Sequence, residues 1–473
     1  MVVDSFTGPT LVFAKNGRLI ADGKAVAMTL SLKGNAGLMP CHLCANVLMK
    51  GALSDPDSAL DNTSGTLVEL THPTLQGCIA NTNESIFAHA DELHQLYTLR
   101  QCKRLTKEKF DLAEKATGLT YNPQGLLWDL QLRNVCRPID FVLEDWSHVY
   151  LCKGVGGDEI WCLLSRIRPL EGDQLYAKLR DEVRAWRWPH FRKSQCKDTW
   201  QIFSENRVTS NKAANGWKSS SSELLSVAPI LLNWASTHFG RSLPGEVESF
   251  RRLCAIMDYI LALKYGSAED TNHLGNLIEA HFRQHLLVYG DGLIGVKWHR
   301  ALHLSQHIAD MDGLVLDTFC NERDHQVPMG FADCYRGNLD LFEKYVLCRT
   351  LAYQRDALRN FNERPGLVGR CHWQDEFGAY IANMMYCKGL HVAVGDFVVT
   401  NRKEIVQVRV CGVSGDNLFL LGDDCEVTHN RETSMEVART KSLRLMWITD
   451  NTDVQTVKCW QTCSGSDRLR IIT

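Results

Sequence analysis

Residues 19–44 read LIADGKAVAMTLSLKGNAGLMPCHLC, and this stretch sets the frame for the rest of the chain. LIADG reads as the end of a strand with Asp22 at its tip, because a short apolar run stops at an acid and a glycine. KAVAMTLSL has apolar residues at helical spacing and reads as the helix that follows. The stretch ends in Cys41-His-Leu-Cys44, the one tight CxxC in a chain with 18 cysteines. A two-residue gap lets both thiolates reach one tetrahedral ion, so the pair is half of a four-ligand zinc site. A redox dithiol and two buried thiols are the competing readings.

Outward from there, residues 51–85 are rich in Ser, Asp, Thr and Asn, which suits a loop. The segment from Glu84 has helical periodicity and stops at Gly118. PIDFVLED reads as a buried strand ending at Asp145, with His148 just beyond it. From about 158 to 290 the pattern is mostly helical, with a break at TSNKAANGWKSSSS. Another helix is expected over GVKWHRALHLSQHIADM, with helices continuing to about 385. After 390 the stretches HVAVGDFVVTN, EIVQVRVCGVSGD and NLFLLGDD alternate apolar and polar residues between turns, the pattern of an antiparallel sheet or small barrel.

Composition bounds the function classes. A length of 473 residues suggests two to four domains, and 45% hydrophobic with 23% charged residues excludes a disordered chain. Net charge is −3, so any polyanion must be met by a local patch. Scattered cysteines, no secretory leader and no apolar run of about 18 residues point to a reduced, intracellular protein without a membrane span. One local patch exists: residues 174–218 hold ten Lys/Arg against four acids, together with Trp186, Trp188, Trp200 and Trp217. Arg184, Arg187, Arg192, Lys193 and Lys197 there suit a phosphate backbone, and the indoles suit unstacked bases. A solvated helix face with its tryptophans in the core is the alternative.

His299 and His303 stand four apart, so a helix places both imidazoles on one face, as metal sites require. A solvated or core-lining histidine face is the other reading. A zinc hydrolase fits poorly, since His299-Arg-Ala-Leu-His303 lacks the glutamate that follows the first histidine in metalloproteases. Glu322, inside CNERDHQ, and Asp22 are acids that could hold Mg²⁺.

Taken in order, the strand-end Asp, CxxC, long helical segment, HxxxH and Glu resemble the catalytic core of CACTA-class DDE transposases. The resemblance covers roughly residues 11–335 and is carried by LIADGKAVAMTLSLKGNAGLMPCHLC, RPIDFVLEDWSHVYLCKGVGGDEI, GWKSSSSELLSVAPILLNW, and KWHRALHLSQHI with FCNERDHQ. It implies Asp22 and Glu322 as catalytic carboxylates, and Cys41, Cys44, His299 and His303 as ligands of structural Zn²⁺. Asp145 and His148 match a recurring [C/D]xxH pair, whose implied role is structural or supporting to the active site. The implied architecture is an incomplete α/β RNase H-like core over 1–157 and a helical insertion over 158–290. A helical region with HxxxH and the glutamate then covers 291–386, and a small β-barrel-like module covers 387–473. The whole is expected to be mainly α. The family's first catalytic aspartate finds no match, since Asp4 is the sole acid before Asp22. The resemblance implies a nuclear protein that cleaves and joins DNA strands with Mg²⁺ or Mn²⁺, with a second copy of itself as a candidate partner and no small-molecule cofactor. The alternative is an inactive descendant that binds DNA or a protein through the same scaffold.

Overall fold

Capping residues supplied by the sequence set several helix ends. Thr82 accepts a hydrogen bond from Ser85 N, Thr106 from Lys109 N, and Asp270 from Asn272 N and His273 N. Ser220 and Glu223 form a reciprocal capping box. The computed structural model describes residues 2–5, 8–11, 19–21, 23–52, 67–134, 136–151, 153–315, 317, 366–368, 371–374, 379–387, 390–400, 402–415, 417–430, 433–448, 454–463 and 468–472. These are mainly helical, with a large antiparallel sheet near the C-terminus and several small sheets. Two compact units are present: Met1–Val155 with Tyr259–Thr318, and Gly156–Asp258 with Phe319–Thr473.

The first unit holds β1 (Val2–Ser5), β2 (Gly8–Leu11), β3 (Leu19–Ala21), β4 (Val47–Leu48), β5 (Val68–Glu69) and β6 (Val142–Glu144). Its helices include α1 (Gly23–Thr29), α2 (Asn83–Gln101), α3 (Lys107–Thr117) and α4 (Pro138–Phe141). The pair that matters for the site is β3 and β6, which run parallel with Leu19 opposite Val142 and Ala21 opposite Glu144. Val26 of α1 and Leu30, just after it, bury against Val142. Each such aliphatic side chain, taken fully out of water, contributes about 1.5–3 kcal/mol. PIDF is helix rather than strand. Pro138 occupies the first helical turn, where its missing N–H costs nothing, and the strand is left with Val142–Glu144 alone.

The remaining helices are α5 (Val155–Glu171), α6 (Leu175–Ala185), α7 (His190–Cys196), α8 (Glu205–Ala214), α9 (Ser221–Phe239), α10 (Pro244–Lys264), α11 (Thr271–Tyr289), α12 (Val296–Leu302) and α13 (Leu304–Ala309). The expected Ser/Lys/Asn break is shorter than its sequence suggests, because α8 extends through Ala214 before Asn215 turns left-handed. The expected single helix over 295–311 is two, with His303 at the joint between α12 and α13.

In the second unit, the helices expected up to 385 lie outside the described residues over 318–365, and from 366 on strands stand in their place: β7 (Gly366–Val368), β8 (His372–Gln374), β9 (Ala379–Ala382) and β10 (Met384–Cys387). They are followed by β11 (Leu390–Ala393), β12 (Phe397–Thr400), β13 (Ile405–Ser414), β14 (Asn417–Asn430), β15 (Met435–Ile448), β16 (Val454–Thr456), β17 (Cys459–Thr462) and β18 (Arg468–Ile472). The main sheet runs β16-β12-β13-β14-β15-β18-β17, with β9 on β13 and β8 on β9. Neighbouring residues feed two different cores. Phe397 and Ile405 join one cluster, while Val398 and Val406 join another. Side chains alternate across a strand, so this sheet buries both faces near β12 and β13.

Candidate metal centre

A loop fixed at several points presents the two cysteines. Asn46 accepts from Ile79 N at 2.7 Å and donates to Gly77 O at 2.8 Å. Asn81 donates to His42 O, and Cys44 bridges to Ala80 through the backbone. Behind this loop Gly118 ends α3 in a left-handed conformation, φ +70°, where a Cβ would lie 2.4 Å from Met39 O. Only glycine fits there.

Opposite the loop, α12 presents His299, and the joint that follows it presents His303 four residues on. Cys41, Cys44, His299 and His303 are all buried, with ligand atoms within 4.8 Å of one another. Cys44 Sγ lies 3.4 Å from Nε2 of both histidines, and Cys41 Sγ lies 3.6 Å from His303 Nε2. The two Nε2 atoms are 3.3 Å apart. A tetrahedral zinc with bonds of about 2.3 Å to sulfur and about 2.0–2.1 Å to nitrogen requires S···N near 3.6 Å and N···N near 3.3 Å. The donor set and its spacing therefore fit zinc, and with four protein donors the site is of the closed, structural kind.

The electrostatics agree. The hydrogen bond from Cys44, followed by the charge of His303, holds the Cys41 thiol well below its ordinary range. Burial lowers the pKa of His303, but the Cys41 thiolate outweighs it and the net shift is upward. Cys44 shifts the opposite way, upward, because it donates to Cys41 and Cys78 and is buried, so one thiolate is shared across the cluster.

Sequence reasoning missed the groups around this cluster. Cys78 hydrogen-bonds with Cys44, which together with nearby histidines pushes its thiol down to about 6. Glu144, at the end of β6, and Arg300, on α12, form a buried ion pair at 3.6 Å. Burial raises the Glu144 carboxyl, and Arg300 opposes that rise. Glu144 N donates to His307 Nδ1 at 3.0 Å, so α13 is also tied to the strand end. His42, between the cysteines, is buried and pushed down to about 3 by that burial, so it is a neutral ring. Only the chain's folding brings these residues together, and no short spacing announces them.

Asp145 and His148 do meet. Asp145 Oδ2 accepts from His148 Nδ1 at 2.6 Å, and Oδ1 accepts from Ser147 N at 2.9 Å and Ser147 Oγ at 2.8 Å. Asp145 is 1% exposed, so this is a buried, fully engaged carboxylate. Asp22 and Glu322 lie outside the described residues. Of the five basic residues expected to touch DNA, Arg184, Arg187, Lys193 and Lys197 line one cavity of the second unit. Arg192 is not among its lining residues. Trp186, Trp188 and Trp217 are buried, whereas Trp200 is partly exposed.

Among the described residues, no helix is long and apolar enough to cross a membrane. No protein-family model matches the chain, and neither a curated protein nor a solved structure matches it.

Proposed function

We propose that this chain is a DNA-processing protein related to the CACTA-class DDE transposases, with a zinc-braced RNase H-like core. One observation carries the reading: a CxxC and an HxxxH, 255 to 262 positions apart, meet in one buried S2N2 cluster. The strand pairing supports it as well. Ala21, which precedes Asp22 in sequence, stands opposite Glu144, which precedes Asp145. Ends of adjacent parallel strands are where sheets of this class gather functional groups.

In this reading the four ligands fasten α12 to the CxxC loop. Arg300 and His307 carry that constraint to the strand end through Glu144. Asp22 and Glu322 would hold Mg²⁺ or Mn²⁺, which supplies Lewis acidity for phosphodiester cleavage and strand transfer. Both acids are assigned from the sequence resemblance.

The second reading is a non-catalytic descendant that binds DNA or protein, and the state of Asp145 is the same in both. Asp145 has both oxygens engaged by Ser147 and His148 and is removed from solvent, so it serves as an anchor rather than as a free metal ligand. Nicking of supercoiled plasmid with Mn²⁺ separates the two. Activity in the native protein that disappears in Glu322→Gln, with zinc content unchanged, supports the catalytic reading. No nicking by native protein, or equal nicking by both, leaves the non-catalytic one.

A further inference from the structure

The second unit contains a cavity of about 490 Å³, within the range of roughly 300–1,000 Å³ typical of sites that hold a small organic group. Arg184, Arg187, Lys193 and Lys197 line it, and among the described residues no acid does. Arg187, Lys193 and Lys197 are exposed and form no ion pair among the described residues. Four cations around one opening, three of them unpaired, create a local positive field on a chain of net charge −3.

The walls are aromatic. Trp186 and Trp188 line the cavity and are buried, while Trp200 and Trp460 line it and are partly exposed. Two elements far apart in sequence are clamped to make this wall: Arg187 N donates to Trp460 O at 2.7 Å, and Trp460 N donates back to Arg187 O at 3.0 Å. Arg184 already shows what the indole accepts, since its guanidinium carbon lies 3.8 Å from the centre of the Trp200 ring. A nucleobase is likewise planar and delocalised, and to stack there it takes the place of the Arg184 guanidinium.

We infer that this cavity binds a nucleotide unit of single-stranded DNA, with the base against Trp200 and Trp460 and the flanking phosphates on Arg187, Lys193 and Lys197. A duplex keeps its bases paired and cannot offer a face to the indoles, so the site selects unpaired strands. The choice of DNA as the polymer rests on the transposase reading; the stacking-plus-phosphate site stands on the geometry of the second unit alone.

The test uses the purified full chain and a fluorescein-labelled 12-mer, its duplex, and free dTMP as competitor, read by anisotropy at two salt concentrations. The single strand is expected to bind about tenfold more tightly than the duplex, through the stacking that the duplex lacks. Lys193→Glu with Lys197→Glu should weaken single-strand binding by about tenfold or more and lower its salt dependence. These two side chains are exposed, so the substitution spares the fold. Trp200→Leu should weaken binding about tenfold without the change in salt slope, at native circular dichroism. Equal affinity for duplex and single strand, unchanged binding in the charge-reversed variant, or displacement by dTMP as readily as by the oligonucleotide would each overturn the site. Zinc content and plasmid nicking report separately on the first unit. Native values there, with single-strand binding unaffected by these substitutions, defeat this inference alone. Loss of zinc pairing with the single-strand site intact defeats the transposase reading alone.

Discussion

Removing the metal should destabilise the first unit far more than removing any one surface interaction. Cys41 and His303 are 262 positions apart, so an ion that joins them closes a very long loop. In the chain-entropy picture a cross-link of that span removes about 5–6 kcal/mol of unfolded-state freedom. For a folding unit of this size each kcal/mol moves the melting temperature by roughly 2–4 °C, so loss of the brace should lower it by roughly 10–20 °C. The figure is an upper bound, because an unfolded chain also binds zinc through its cysteines and histidines. Differential scanning calorimetry of the full chain, with and without a strong chelator, reads the shift, and elemental analysis reads the zinc. His299→Ala should behave like the chelated protein, whereas Cys102→Ser, at an exposed cysteine, should behave like the native one. If zinc leaves the protein completely and the transition moves by less than about 2 °C, the ion does not cross-link the fold and the argument fails.

Four further outcomes follow from particular contacts. Cys78→Ser should keep a full equivalent of zinc, since Cys78 neighbours Cys44 but stands outside the four-residue cluster; elemental analysis decides this. Asp145→Ala should cost about 3–5 kcal/mol in denaturant unfolding, because it strips half-buried His148 and buried Ser147 of their acceptor. Gly118→Ala should cost about 2 kcal/mol or more, as a left-handed backbone and Met39 O both oppose a side chain there. Burial raises the Asp396 carboxyl above its ordinary 3.8, against the hydrogen bonds from Ala393 N and His190 N. The folded state thus holds that proton more tightly than the unfolded chain. Its contribution favours folding at pH below 3.8 and is lost as pH rises through the raised value, so Asp396→Asn should flatten that part of the pH–stability curve.

What could be read from the sequence depended on range. The two ligand pairs were legible because each has a short diagnostic spacing, and a four-ligand rule says that two half-sites need each other. Gly118 was legible as a helix stop for the same local reason. PIDF misled because it is apolar in either state; the signal that settles it is Pro138 at a first helical turn. The strands from Gly366 to Cys387 were hidden by weak alternation, and their pairing is long-range: β9 finds its partner in β13, about thirty residues on. The neighbours Cys78, Glu144 and Arg300 had no local mark at all. Their roles come from tertiary proximity, which no spacing in the chain encodes.

The claim at the centre of this account is that Cys41, Cys44, His299 and His303 hold one structural zinc. X-ray absorption at the zinc edge on the purified chain tests it directly. The account predicts one zinc per chain, with two sulfur neighbours near 2.3 Å and two nitrogen neighbours near 2.0–2.1 Å, lost in both Cys41→Ser and His303→Ala. Absence of zinc, or a first shell of sulfur alone that survives His303→Ala, would contradict it.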